Sequence, residues 1–175
     1  MTKCKWTEMV TKLKEGRTGG HVAIPISDDL TEAICSRYNF LVATGGDLKG
    51  PSLTTEIINL ENPSFVCTKV GKFPKPLYGA NGGWVGNKPM VCGGSDVFGR
   101  IFQKSCYTLQ TNGTWKDDEK ATLSRGKQNQ ISGSVVINNQ LYIPEYVGQQ
   151  KSSKQLAFVG KAAAGIQYFK IKLEL

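Results

Sequence analysis

Apolar residues along this chain fall in short runs that alternate with polar ones and stop at glycine; they do not recur every three or four positions. That period reads as strands. They are expected near 20–26, 39–44, 54–60 and 64–68, then near 81–85, 89–93, 103–109 and 113–116. A weaker set lies near 132–137, 140–143, 155–159 and 166–173, and a lone strand precedes them all at 3–10. Between two of these runs, "SDDLTEAICSR" (27–37) breaks the alternation and predicts a capped helical turn near 29–36. Asn112-Gly113, Asn138-Asn139 and Gly86-Asn87 separate apolar runs and read as two-residue hairpin turns, which need positive φ.

The stretch "NGGWVGNKPMVCGGSD" (81–96) raises a different possibility, a glycine-rich phosphate loop. Such loops open a capped helix, with Gly-Lys-Ser/Thr or GxGxxG at the junction. The segment after Gly93-Gly94, "SDVFGRIFQKSCYTL", carries the β-branched and aromatic content of a strand, so the phosphate reading fails. The stretch instead recurs. "FLVATGGD" (40–47) returns as "PMVCGGSD" (89–96), with Gly46 and Gly94 a period of 48 apart. "TTEIINLENPSFVC" aligns with "QKSCYTLQTNGTWK" at an offset of 49, and "GGWVGNKPMV" with "SGSVVINNQLYI" at about 51. A strand-only period near 50 residues is the mark of propeller blades.

The repeated residues resemble the kelch-repeat family. Its pattern has an apolar strand ending in Gly-Gly, a strand with a central aromatic, a Trp, and an Arg-containing loop. In this chain they are Gly45-Gly46 and Gly93-Gly94, Tyr107, Trp6 and Trp115, and Arg17 and Arg125. Ile58 stands where Tyr107 stands one repeat later, and "PEYVG" replaces the third Gly-Gly. The resemblance implies an all-β fold: a partial kelch-type β-propeller of about three four-stranded antiparallel blades, the third degenerate. Blades are expected at 20–68, 81–116 and 131–173, with 3–19 the outer strand and loop of an upstream blade. Three blades and one strand do not close a ring, so the chain reads as a fragment of a larger propeller or a truncated gene product, with completion by partners or pairing of 3–10 with the last blade as the alternatives.

Composition adds bounds. Of 175 residues, 39% are hydrophobic and 21% charged, which is globular rather than disordered composition, and the 20 glycines suit many tight turns. No run approaches the ~20 apolar residues that span a membrane, and the first twenty residues lack a signal-peptide core. Cys4, Cys35, Cys67, Cys92 and Cys106 are separated by 31, 32, 25 and 14 positions, without zinc-type spacing. Reduced, buried thiols and a cytoplasmic location follow from that reading. The net charge of +8 is spread along the chain without an aromatic-interleaved basic cluster. It reads as a solvated surface, and no nucleic-acid partner is expected.

Catalytic chemistry has little to build on. His21 is the only histidine, so a two-histidine metal site cannot be assembled from this chain, and a His21–Ser27–Asp28 triad has nothing to fix its geometry. No catalytic residue, metal or cofactor is expected. Asn112-Gly113-Thr114 also matches a glycosylation sequon, although the turn reading explains it. What remains is binding of a protein partner through loops at 47–53, 73–79, 95–100 and 122–128, as an adaptor or scaffold. Phe98, Arg100, Tyr78 and Arg125 are the aromatic and Arg types enriched at hot spots, and they are the candidate contacts. For Arg17 and Arg125 the competing role is bracing neighbouring loops through backbone carbonyls. A propeller enzyme and a basic nucleic-acid binder are the alternative classes.

Overall fold

The computed structural model describes residues 13–17, 19–26, 39–47, 50–59, 67, 70–96, 101–123, 134–146, 155–162 and 165–172. The fold is all-β, with no helix among these residues. Among the described residues twelve strands form three four-stranded antiparallel sheets. In the first sheet β1 (Gly19–Ile26) pairs with β2 (Asn39–Asp47). That strand also pairs with β4 (Thr55–Asn59) and, at its far end, with the two-residue β3 (Gly50–Pro51). The second runs β5 (Tyr78–Val85), β6 (Lys88–Ser95), β7 (Ser105–Leu109) and β8 (Trp115–Thr122). The third runs β9 (Val135–Ile137), β10 (Gln140–Tyr146), β11 (Gln155–Ala162) and β12 (Gly165–Lys172). The strand expected at 89–93 pairs with those expected at 81–85 and 103–109. The third set, despite its departures from the repeat, is also four-stranded. The elements expected at 3–10, 27–37 and, apart from Cys67, 64–68 lie outside the described residues.

Turn chemistry explains most of the hairpins. Gly86 and Asn87 have φ of 55° and 62°, and Asn138 and Asn139 have 50° and 59°, as two-residue turns with both central residues left-handed require. The β7–β8 hairpin differs from expectation. Only Gly113 has positive φ there, at 80°. Gly113 N–H donates to the Gln110 carbonyl (2.9 Å) and Gln110 N–H to the Thr114 carbonyl (2.8 Å), which closes a three-residue loop ending in a left-handed glycine.

The repeat is also one residue out of step with the Gly-Gly alignment. Gly93 and Gly94 have φ of 71° and 90°, and the matching pair in the first sheet is Thr44 (59°) and Gly45 (71°). A β-branched residue in the left-handed region is strained. Thr44 is fully buried, and its carbonyl accepts a 2.5 Å bond from Arg17 Nη1, so its surroundings hold it there. Gly93 and Gly94 stand six and seven residues past Asn87; at the same distance past Asn139 the third sheet carries Glu145 and Tyr146, neither of which has positive φ. β10 accordingly continues to Tyr146, opposite Leu156.

The sheets pack in series. One core cluster lies between the first and second sheets, built from Val22, Ile24, Leu41, Leu77, Val91 and Leu109 among others. A second, including Val85, Met90, Cys92, Leu141 and Ile143, lies between the second and third. β5 sits inside both junctions, and two adjacent glycines make that possible. Successive strand residues point to opposite sides. A Cβ on Gly82 would fall 2.5 Å from Val22 Cγ1 and 2.7 Å from the Met90 carbonyl oxygen. One on Gly83 would collide with Val136 on the other side and lie 3.0 Å from Leu141 Cδ1. Gly82→Ala is therefore expected to lose ~1–3 kcal/mol by overpacking. Gly16→Ala, with nothing within 4 Å of its added methyl, should be near neutral. Urea unfolding of the two variants beside the wild type measures the difference.

Two expectations about side chains are corrected. Cys92 and Cys106 face each other across β6 and β7 and form a disulfide, with Cα atoms 4.0 Å apart. Cys67 is disulfide-bonded as well. The reduced-thiol reading is overturned, and the cytoplasmic assignment loses that support. Among the described residues no helix is long and apolar enough to cross a membrane. The stretch 73–79, expected as an exposed loop, is largely core: Phe73 and Leu77 are buried. It threads between two sheets, Phe73 N–H bonding the Leu53 carbonyl (2.7 Å) and the Leu77 carbonyl accepting from Gly45 N–H (2.8 Å).

Candidate functional site

Antiparallel pairing brings the start of β1, the end of β2, the start of β5 and the end of β6 to one end of the sheets. The loops at this end are the candidate binding surface. On the first sheet they are fastened by Arg17, whose side chain is fully buried. Besides the Thr44 carbonyl, it donates through Nη2 to the Thr54 carbonyl (3.1 Å), Thr54 Oγ1 (2.7 Å) and Glu56 Oε1 (3.1 Å). A planar guanidinium can serve several acceptors from one fixed position. The bracing role is thus the one Arg17 fills. Glu56 also accepts from the Lys14 amide at 2.6 Å. Glu15 accepts from the hydroxyls of Ser52 and Thr54. The Ser52 bond holds the Glu15 carboxyl below its ordinary value; partial burial opposes this, and Thr54, Arg17 and Lys72 reinforce it. These bonds tie the segments before β1 and before β4 to the end of β2, as a loop clamp does, and leave Arg17 Nε buried without a partner.

The corresponding loop of the second sheet, after Gly93-Gly94, is built differently. Its base is closed by backbone bonds: Asp96 N–H to the Ile101 carbonyl (3.2 Å) and Gln103 N–H to the Gly94 carbonyl (2.8 Å). Asp96 Oδ1 accepts from the Ile101 amide at 3.2 Å, and Ser95 bridges Phe102. Held by this frame, Ile101 is 60% exposed and Phe102 48%. Leu53, in the neighbouring loop, is 37% exposed. Large apolar side chains fixed in solvent by a hydrogen-bonded loop are what a partner surface offers.

Of the candidate contacts, Tyr78 lies at this end but is half-buried, its ring against Gly20. Phe98, Arg100 and Arg125 lie outside the described residues, as does Trp6. Ile101 and Phe102 are absent from the contacts expected from sequence. Their signal is position: an apolar pair just outside the strand at 103–109, directly after a glycine-flanked loop. The structural motif residues sit elsewhere. Tyr107 and Trp115 pack edge-on against Phe73 with ring centroids 5.2 and 4.9 Å away, between the first two sheets. Trp115 Nε1–H donates to Thr55 Oγ1 at 2.9 Å, tying β8 to the neighbouring sheet. Gly45, Gly93 and Gly94 hold positive φ, whereas Gly46 pairs with Pro51 in the ladder. His21 is exposed on β1, and Ser27 and Asp28, the other members of the triad weighed from sequence, lie outside the described residues. The acidic run Asp117-Asp118-Glu119 lies on β8, one of the two edge strands of its sheet, where charge discourages pairing with another chain.

No protein-family model and no curated protein matches the chain. Solved structures do match in fold. The structure of YjhT aligns with a TM-score of 0.59 at 13% identity, covering 90% of this chain and 47% of that one. The chain thus spans about half the length of that relative in fold.

Proposed function

We propose that the three sheets are successive blades of a kelch-type β-propeller and that the chain is a protein-interaction module, an adaptor or scaffold. The serial packing of four-stranded sheets supports the architecture, as do the 49-residue step between equivalent left-handed pairs and the fold likeness to a chain about twice as long. The observation that carries the function is the exposed Ile101–Phe102 pair on its hydrogen-bonded loop base. The partner docks on the loops at this end, with Ile101 and Phe102 as anchors and Phe98 and Arg100 contributed by the same loop.

Truncating a central anchor commonly costs ~2 kcal/mol or more, roughly thirtyfold in affinity. Partners captured by the wild-type chain are to be identified and titrated against two double variants, Ile101→Ala/Phe102→Ala and Phe98→Ala/Arg100→Ala. The first is expected to lose about thirtyfold with an unchanged melting temperature. If both variants stay folded and bind every captured partner as tightly as the wild type, the loop surface is not the binding site.

A further inference from the structure

We propose that Asn112 is an acceptor site for an N-linked oligosaccharide. Two independent observations meet at this residue. Asn112-Gly113-Thr114 satisfies the acceptor sequence, whereas Asn62-Pro63-Ser64 is excluded by its central proline. The Cys92–Cys106 disulfide lies in the same pair of hairpins, and Cys67 is bonded too. Disulfides form and persist in oxidising compartments such as the endoplasmic reticulum lumen, where such oligosaccharides are transferred.

The geometry suits the product. The β7–β8 loop is held at Gly113, which is buried and whose carbonyl accepts a 2.8 Å bond from Gly71 N–H. Asn112 and Thr114 on either side are exposed. Thr114 donates to Asn112 Oδ1 through both its amide (3.1 Å) and its hydroxyl (2.7 Å). Both bonds end on the carboxamide oxygen, so attaching a sugar to Nδ2 breaks neither. The tip also lies at the opposite end of β7 from Phe102, and the five residues of that strand alone separate the two by about 15 Å at ~3.3 Å per residue. A glycan there leaves the Ile101–Phe102 loop uncovered.

The donor class is a lipid-linked oligosaccharide diphosphate. Asn112 Nδ2 forms the bond to the anomeric carbon as that carbon's bond to the diphosphate oxygen breaks. The lipid diphosphate leaves, and the amide gives up one proton to a base of the transferase. No oxidant or reductant is needed.

The test directs the full chain into the endoplasmic reticulum lumen of cultured animal cells behind a cleavable leader, pooling retained and secreted protein. Gel mobility is read before and after peptide N-glycosidase, and peptide mass spectrometry then looks for Asn112 converted to aspartate. One glycan is expected on the wild type and on Thr114→Ser. Asn112→Gln and Thr114→Ala should migrate as the enzyme-treated wild type. An unmodified wild-type chain, or a glycosidase-sensitive shift that persists in Asn112→Gln, overturns the proposal. The outcome is independent of whether the loop surface binds a partner.

Discussion

Phe73→Ala is expected to lower unfolding free energy by ~3–5 kcal/mol, a loss at the upper end for truncating one buried side chain. Nothing about its position in the chain marks it as core, since it lies in a connection without regular structure. Yet it is 1% exposed, and its ring meets Tyr107 at 72° and Trp115 at 74°. Edge-to-face pairs of this kind add ~0.5–1.5 kcal/mol each beyond the area they bury. Removing the ring empties a space walled by two sheets, neither of which can close on it without tearing its own ladder. Phe73→Leu, which keeps part of the volume, should lose distinctly less. Denaturant titration of both variants measures this; a loss below ~1 kcal/mol for Phe73→Ala would show that the junction between the first two sheets does not depend on it.

Replacing Cys92 and Cys106 together by alanine is expected to cost ~3 kcal/mol. The crosslink spans 14 residues, and closing a loop of that size removes about this much conformational freedom from the unfolded chain. Alanine is preferable to serine because both positions are buried, and a hydroxyl would need a partner. Cys67 is also disulfide-bonded, so adding reductant to the wild type would remove more than one crosslink. The comparison is therefore made between variant and wild type under non-reducing conditions. Equal denaturation midpoints would mean that the crosslink contributes nothing.

The hairpins are legible in the sequence because their signals are local. Gly86-Asn87 and Asn138-Asn139 announce turns from their own backbone preferences, and the alternation of Val22, Ile24 and Ile26 announces a strand with one buried side. What depends on register is not legible. Gly45-Gly46 looks like the partner of Gly93-Gly94, but the fold places Thr44 in the left-handed region because Arg17, from a segment before β1, stabilises its carbonyl. Cys92 and Cys106 carry no motif at their spacing; they meet only because the β6–β7 register sets them opposite. Phe73 escapes a sequence reading for the same reason, its burial being decided by two sheets that come together around it. At the candidate site, the loop after Gly93-Gly94 stands out from sequence. The choice of Ile101 and Phe102 as its exposed apolar pair requires the hydrogen bonds that hold its base.

The paired glycines of β5 bear on the order in which the molecule comes apart. In an array whose members touch only their neighbours, stability is a sum of the units and the junctions between them. The first and third sheets each share a junction with the second, whereas the second, with Gly82 and Gly83 back to back, is gripped on both sides. Either outer sheet can peel away at the cost of one junction, but the middle one is freed only when both are lost. Amide protons of β5 and β6 therefore belong to the slowest-exchanging class, released by global opening, while β1 and β9 exchange through partial openings.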